Sequence, residues 1–129
     1  NAPPLRLDLR GRSGPLMIMI DYRIDEPDVP AFLALMQDRR RIRLRDGARN
    51  WALLRDLEDP DIWVESYHVA TWVEYIRHVE RRTQADTANH EELLKLHRGP
   101  GRPVVHRMIE RRTVPLPGEM VLKPGSDLH

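Results

Sequence analysis

The chain has 129 residues and nearly balanced charge, 21 Lys and Arg against 20 Asp and Glu, so nothing drives it as a whole towards nucleic acid or an anionic surface. The absence of cysteine excludes a disulfide scaffold, a thiolate metal site and a cysteine nucleophile, and fits a reducing compartment. No unbroken apolar run, Leu16–Ile20 among them, is nearly long enough to cross a bilayer, and the length suits one domain around one core.

Residues 1–15 hold three of the 11 prolines, with Leu5, Leu7 and Leu9 alternating with charge ahead of Gly11-Arg12-Ser13-Gly14. They read as a linker that lays down at most one short edge strand. Asn1-Ala2 has the look of a cleaved tag remnant, which would make the chain a piece of a longer protein or one whose own start was replaced. Leu16–Ile24 is the first strand, with Ile18, Ile20, Tyr22 and Ile24 on one face and Met17, Met19, Asp21 and Arg23 on the other. Asp25-Glu26-Pro27-Asp28 is a turn, and Asp28 is placed to cap a helix over about 29–45 with Pro30 in its first turn. Phe32, Leu33, Met36 and the Arg40 stem are expected on its buried stripe, and Asp46-Gly47 closes it.

Trp51–Leu57 and Ile62–Ala70 are β-rich runs around the turn Glu58-Asp59-Pro60-Asp61. After Ala70 the period lengthens to about 3.6. Trp72, Ile76, Val79 and Thr83 then share a helical stripe, with Thr71 and Glu74 spaced as a capping box. A second helical segment over about 86–96 continues from the first or kinks against it, until Gly99-Pro100-Gly101-Arg102-Pro103 ends it. Val104–Arg111 is the last strand, and the proline- and glycine-rich residues 112–129 read as an extended tail that covers another surface. The domain itself is expected over residues 16–111.

The order β-α-β-β-α-β, with a split second helix, predicts an α+β ferredoxin-like fold with its helices on one face of an antiparallel sheet. Met17, Met19, Trp51 or Leu54, and Trp63 or Tyr67 would leave the opposite face too apolar for water. Pairing two sheets across a two-fold axis covers it, so a dimeric α+β barrel is expected.

The stretches IMIDYRID, FLALMQDRRRIRLRDGARNWALLRD, EDPDIWVESYHVATWVEYIRHVERRTQAD and LLKLHRGPGRPVVHRMI together resemble the C-terminal soluble domain of the transmembrane secretion effector (enterobactin-exporter-like) branch of the major facilitator superfamily. By fold that domain is similar to antibiotic biosynthesis monooxygenases. The resemblance implies a membrane transporter core upstream, a position on the cytoplasmic side of the inner membrane, and an accessory role, regulatory or dimerising, without catalysis of its own. It carries no established catalytic residues, so no catalytic residue and no cofactor is assigned. The alternatives are a cofactor-free monooxygenase-like enzyme and a small-ligand-sensing domain.

Six residues are candidates for lining a cavity: Asn50, Trp51, Trp63, His68, Trp72 and His106. In the cofactor-free oxygenases of this fold such polar and aromatic groups hold an electron-rich substrate, although aromatics at this spacing are more often core. His68 and His106 are the expected pair if a pocket exists. The histidines show no HxH, HxxxH or HExxH spacing, so no metal site is assigned. His78 stands near the haem-ligand position of some relatives of this barrel, and at i, i+4 from Glu74 it could pair with that residue. Arg39, Arg40, Arg41, Arg43, Arg45 and Arg49 form the sharpest charge cluster. It reads first as a solvated helix end, and second as a contact for anionic lipid at ~1 kcal/mol per charge. Nucleic acid is not an expected partner.

Overall fold

Residues 4–81, 83–114, 116 and 121–125 are described by a computed structural model of the chain. β1 (Leu16–Arg23) leads through a 3-10 turn, Glu26–Asp28, into α1 (Val29–Arg45). β2 (Arg49–Arg55) and β3 (Ile62–Val69) form a hairpin, followed by α2 (Trp72–Glu80), α3 (Gln84–Leu96) and β4 (Val104–Ile109). The antiparallel sheet has the order β2-β3-β1-β4. This is the ferredoxin-like α+β fold with a split second helix that the sequence predicts.

β1 alternates strictly. Leu16, Ile18, Ile20 and Tyr22 are buried beneath the helices, while Met17, Met19 and Asp21 look to the outer face. Registered against them, Val69, Tyr67, Glu65 and Trp63 of β3 share the inner face. A β-bulge between Arg49 and Ala52 puts one extra residue into β2, with Asn50 in the left-handed region at φ 54°. Such a bulge re-aims the side chains around it. Here it turns Trp51 under the helices, where its indole N–H meets Glu65. Trp51, Trp63 and Tyr67 therefore do not belong to the bare outer face; Leu54, 48% exposed, does.

α1 buries Phe32, Met36 and Arg39, while Leu33 and Arg40 point outward. The spacing 32, 36, 39, 43 is the i, i+4, i+7 stripe of a helix lying on a sheet, and it carries two arginines inward. Asp28 makes no side-chain cap on α1 and accepts instead from Arg98. On α2 the buried residue is His78, not Val79, which is 40% exposed; Trp72, Tyr75 and His78 recur every three residues along the inward side. Thr71 Oγ1 accepts from the Glu74 N–H at 3.3 Å. The reciprocal capping box belongs to α3, where Thr83 and Asp86 exchange two bonds of 3.1 Å. Thr83 thus starts the second helix instead of extending the stripe of the first.

Tyr22, Phe32 and Trp63 form the aromatic centre of the core, with successive ring centroids 5.5 Å apart. The segment before β1 is tied down by Trp72 N–H to Ser13 O and Val73 N–H to Gly11 O. Leu7 bridges Leu122, so the expected edge strand and part of the tail pair with each other. Of the tail, residues 115, 117–120 and 126–129 lie outside the described residues.

Candidate functional site

The inward arginines of α1 meet the only carboxylate on the inner face of β3. Arg43 donates from Nε and Nη2 to the two oxygens of Glu65, at 2.9 and 3.2 Å, and Trp51 Nε1 adds a third bond of 2.9 Å. Glu65 is 0% exposed. Burial by itself would raise its carboxyl pKa, but the opposing charge of Arg43 and these bonds outweigh burial and hold it below the ordinary carboxylate range. The Arg43 guanidinium lies 4.7 Å over the Tyr67 ring, and Nη1 reaches His78 Nε2 at 3.1 Å. Guanidinium only donates, so Nε2 accepts and the imidazole is neutral. Burial, then the charge of Arg43, lowers the His78 pKa. Its ring stacks on Tyr67 with centroids 5.7 Å apart.

One turn earlier on α1, Arg39 is 6% exposed and stands beside Tyr22, whose hydroxyl is pushed up to about 12, chiefly by burial. Arg39 Nη2 donates to His90 Nδ1 at 3.0 Å, and its Nε has no partner. No carboxylate among the described residues forms an ion pair with it. Arg45, further along, clamps Asp46 and Asp86 at 3.0 and 2.7 Å. Hydrogen bonds from Arg45 draw the Asp86 carboxyl down to about 2.

A cavity of about 620 Å³ opens between sheet and helices. Ile18, Ile20, Tyr22 and Tyr67 form its floor; Arg39 and Arg43 of α1, Tyr75, His78 and Val79 of α2, and His90 and Leu94 of α3 form its walls. Arg102, Pro103, Val104 and Val105 edge its mouth.

The residues singled out from sequence distribute differently. Trp51 reaches the cluster through Glu65, while Trp63 is core, with Arg55 over its ring at 4.6 Å. Trp72 packs on Tyr75 at 5.3 Å, and neither Trp63 nor Trp72 lines the cavity. Asn50 is exposed on the bulge. His68 and His106 belong to the outer face by strand alternation, and His106 Nε2 lies 3.1 Å from Asp21 there. The cavity's histidines are His78 and His90 instead. Glu74 makes no pair with His78, which is engaged by Arg43. The basic cluster is also divided: Arg39 and Arg43 turn inward, Arg45 is held by two aspartates, Arg41 pairs with Asp38, and Arg40 and Arg49 are exposed. No group of three or more His, Cys, Asp and Glu among the described residues could hold a metal ion.

Four antiparallel strands under three helices, with a cavity between the layers, define a ferredoxin-like α+β domain. The chain belongs to the transmembrane secretion effector family, whose profile matches residues 1–114. No curated protein sequence matches it. Among solved structures it is similar to a conserved protein from Methanosarcina mazei Go1, at 11% identity and a TM-score of 0.66, covering 78% of this chain and 97% of that one. It is also similar to SnoaB, a cofactor-independent oxygenase from Streptomyces nogalater, at 12% identity and a TM-score of 0.65, covering 81% and 100%. A Caulobacter crescentus protein bearing the name of an antibiotic biosynthesis monooxygenase gives 13%, 0.66, and 78% and 93%. At such identities the likeness is one of fold.

Proposed function

We propose that the chain is the cytoplasmic accessory domain of a major-facilitator-type membrane exporter, working as a homodimer and without chemistry of its own. The observation that carries this reading is the family match across residues 1–114. No helix among the described residues is long and apolar enough to cross a membrane, so the membrane-spanning part of such an exporter would be supplied outside these residues. Pairing is supported by the outer sheet face, where Leu54, Val104 and Met108 are about half exposed beside Met17 and Met19. An apolar strip of this kind is the usual mark of an interface. A role without catalysis is supported by the acids at the cavity: Asp46 and Asp86 on its wall are held by Arg45, and Glu65 beneath it is committed to Arg43 and Trp51, so all three are poorly placed to exchange a proton near neutral pH. Contact with anionic lipid, if it contributes, falls to Arg40, Arg41 and Arg49 on the outside.

Fractionated cells blotted with an antibody against this chain test the reading. A membrane-bound product much larger than 15.1 kDa is expected, and light scattering of the chain at micromolar concentration should give twice that mass. A free 15.1 kDa soluble product would overturn the exporter role, and a monomer would overturn the pairing. The cavity and the name of the Streptomyces neighbour favour a second reading, a cofactor-free oxygenase. It requires turnover of a reduced quinol with oxygen by the chain alone.

A further inference from the structure

Arg39 and Arg43 lie one turn apart on the same stripe of α1, yet only one of them has a counter-ion. Arg43 has Glu65. Arg39 is just as inaccessible, forms no ion pair with a described carboxylate, and keeps one N–H unsatisfied. A guanidinium does not shed its proton, so its charge stays in the core at a standing cost in desolvation. The carboxylates on the cavity wall do not offset it, because Asp46 and Asp86 are held by Arg45. Arg102 at the mouth adds a further positive charge. His78 and His90 are engaged by the two arginines, and Ile18, Ile20, Tyr67, Tyr75, Val79 and Leu94 give the wall its apolar and aromatic part.

We propose that this cavity is a binding site for an organic monoanion with a flat, apolar body, its acid group seated on Arg39 and its body held against Tyr67 and Tyr75. A carboxylate there would pair with the guanidinium and supply the missing counter-charge, and Tyr22 stands beside the seat as a further donor. The volume of about 620 Å³ falls within the range of small-molecule sites. The fixed charge distinguishes this site from a purely apolar pocket: it selects for the anion over a neutral molecule of the same shape.

Calorimetric titration of the chain with 2-naphthoate, and with the isosteric neutral 2-naphthamide, tests this. Saturable binding of naphthoate at one site per chain is expected, with naphthamide weaker by roughly tenfold or more, since a charge-assisted pair is about twice as strong as a neutral one. Arg39→Met should abolish the preference for the anion, while Arg39→Lys retains part of it. Val79→Trp, at a surface position on the cavity wall where added bulk does not threaten the fold, should block naphthoate even if Arg39→Met fails to fold. Absence of saturable naphthoate binding, equal affinity for acid and amide, unchanged anion preference in a folded Arg39→Met chain, or undiminished binding by the Val79→Trp chain would each overturn the proposal. None of these results depends on whether the chain is dimeric or joined to an exporter.

Discussion

Replacing Glu65 with glutamine tests the central physical claim, that one buried ion pair organises the inner face of the sheet. The substitution keeps the shape of the side chain and removes only its charge. Arg43 would remain largely buried with no counter-ion, one turn from Arg39, which has none already. Removing one partner of a buried pair typically costs ~3–5 kcal/mol, mostly because the other charge is left stranded. An amide oxygen standing where Oε2 is can still accept two of the three bonds, those from Arg43 Nε and Trp51, which points to the lower end, about 3 kcal/mol. Against a total stability of ~5–15 kcal/mol for a domain, that is a large fraction. With a urea slope of about 1.5 kcal/mol/M, the unfolding midpoint should fall by roughly 2 M. Pairing Glu65→Leu with Arg43→Met should recover most of the loss, since the cost lies in the stranded charge and not in missing volume. The acid limb gives a second readout. The folded pKa of Glu65 is depressed, so its stabilisation is present above the unfolded value of 4.5 and is lost as pH falls through the folded value. The Glu65→Gln chain should lack that part of the acid transition. A midpoint shift below about 0.5 M, which at this slope is under 1 kcal/mol, would refute the reasoning and make the pair incidental.

Two other perturbations probe neighbouring contacts. The folded pKa of His78 is lowered, so its contribution is present above the unfolded value of 6.5 and is lost as pH falls below it. Thermal melts of the parent chain should therefore fall between pH 7 and 5 more steeply than those of His78→Gln. Thr83→Ala removes the acceptor for the Asp86 N–H at the start of α3; it should cost ~0.5–2 kcal/mol and lower the melting temperature by several degrees, read by circular dichroism.

The layer order was legible because β1 alternates without a break and because the turns at 25–28 and 58–61 and the loop at 99–103 are marked by proline, aspartate and glycine. The helix limits of α1 were legible for the same reason. The site was less so. Trp51 owes its inward direction to one extra residue in β2, and a bulge leaves no trace in hydropathy, so parity alone left Trp51 between the two faces. His68 and His106 attract attention as histidines, but alternation from the buried Ile18 and Tyr67 already puts them on the outer face. Arg39 and Arg43 were hidden by their company: a run of arginines reads as a solvated helix end. Counting from Phe32 and Met36 by four and three residues shows that two of the six must point at the sheet. A carboxylate should then be sought on the inward positions of β3, where Glu65 stands alone among Trp63, Tyr67 and Val69.

The two arginines together argue about purpose in a way that neither does alone. A domain selected only to pair through its outer face would gain by filling the space beneath α1 with apolar side chains, since replacing a buried ion pair in that way is commonly neutral or stabilising by ~1–4 kcal/mol. A paired Arg43 still has a structural account: it fixes Trp51, Tyr67 and His78 around one guanidinium. Arg39 has a weaker account: His90 and Tyr22 beside it carry no negative charge, and Glu65 attracts it without forming an ion pair. Its cost falls on the folded state of the chain by itself, and an anion in the cavity would relieve it. Binding and stability are then linked through one residue: the ligand that occupies the cavity also stabilises the fold in proportion to the logarithm of its concentration. On the two proposals together, assembly would fall to the outer face and recognition to the inner one, with β1 lending alternate residues to both.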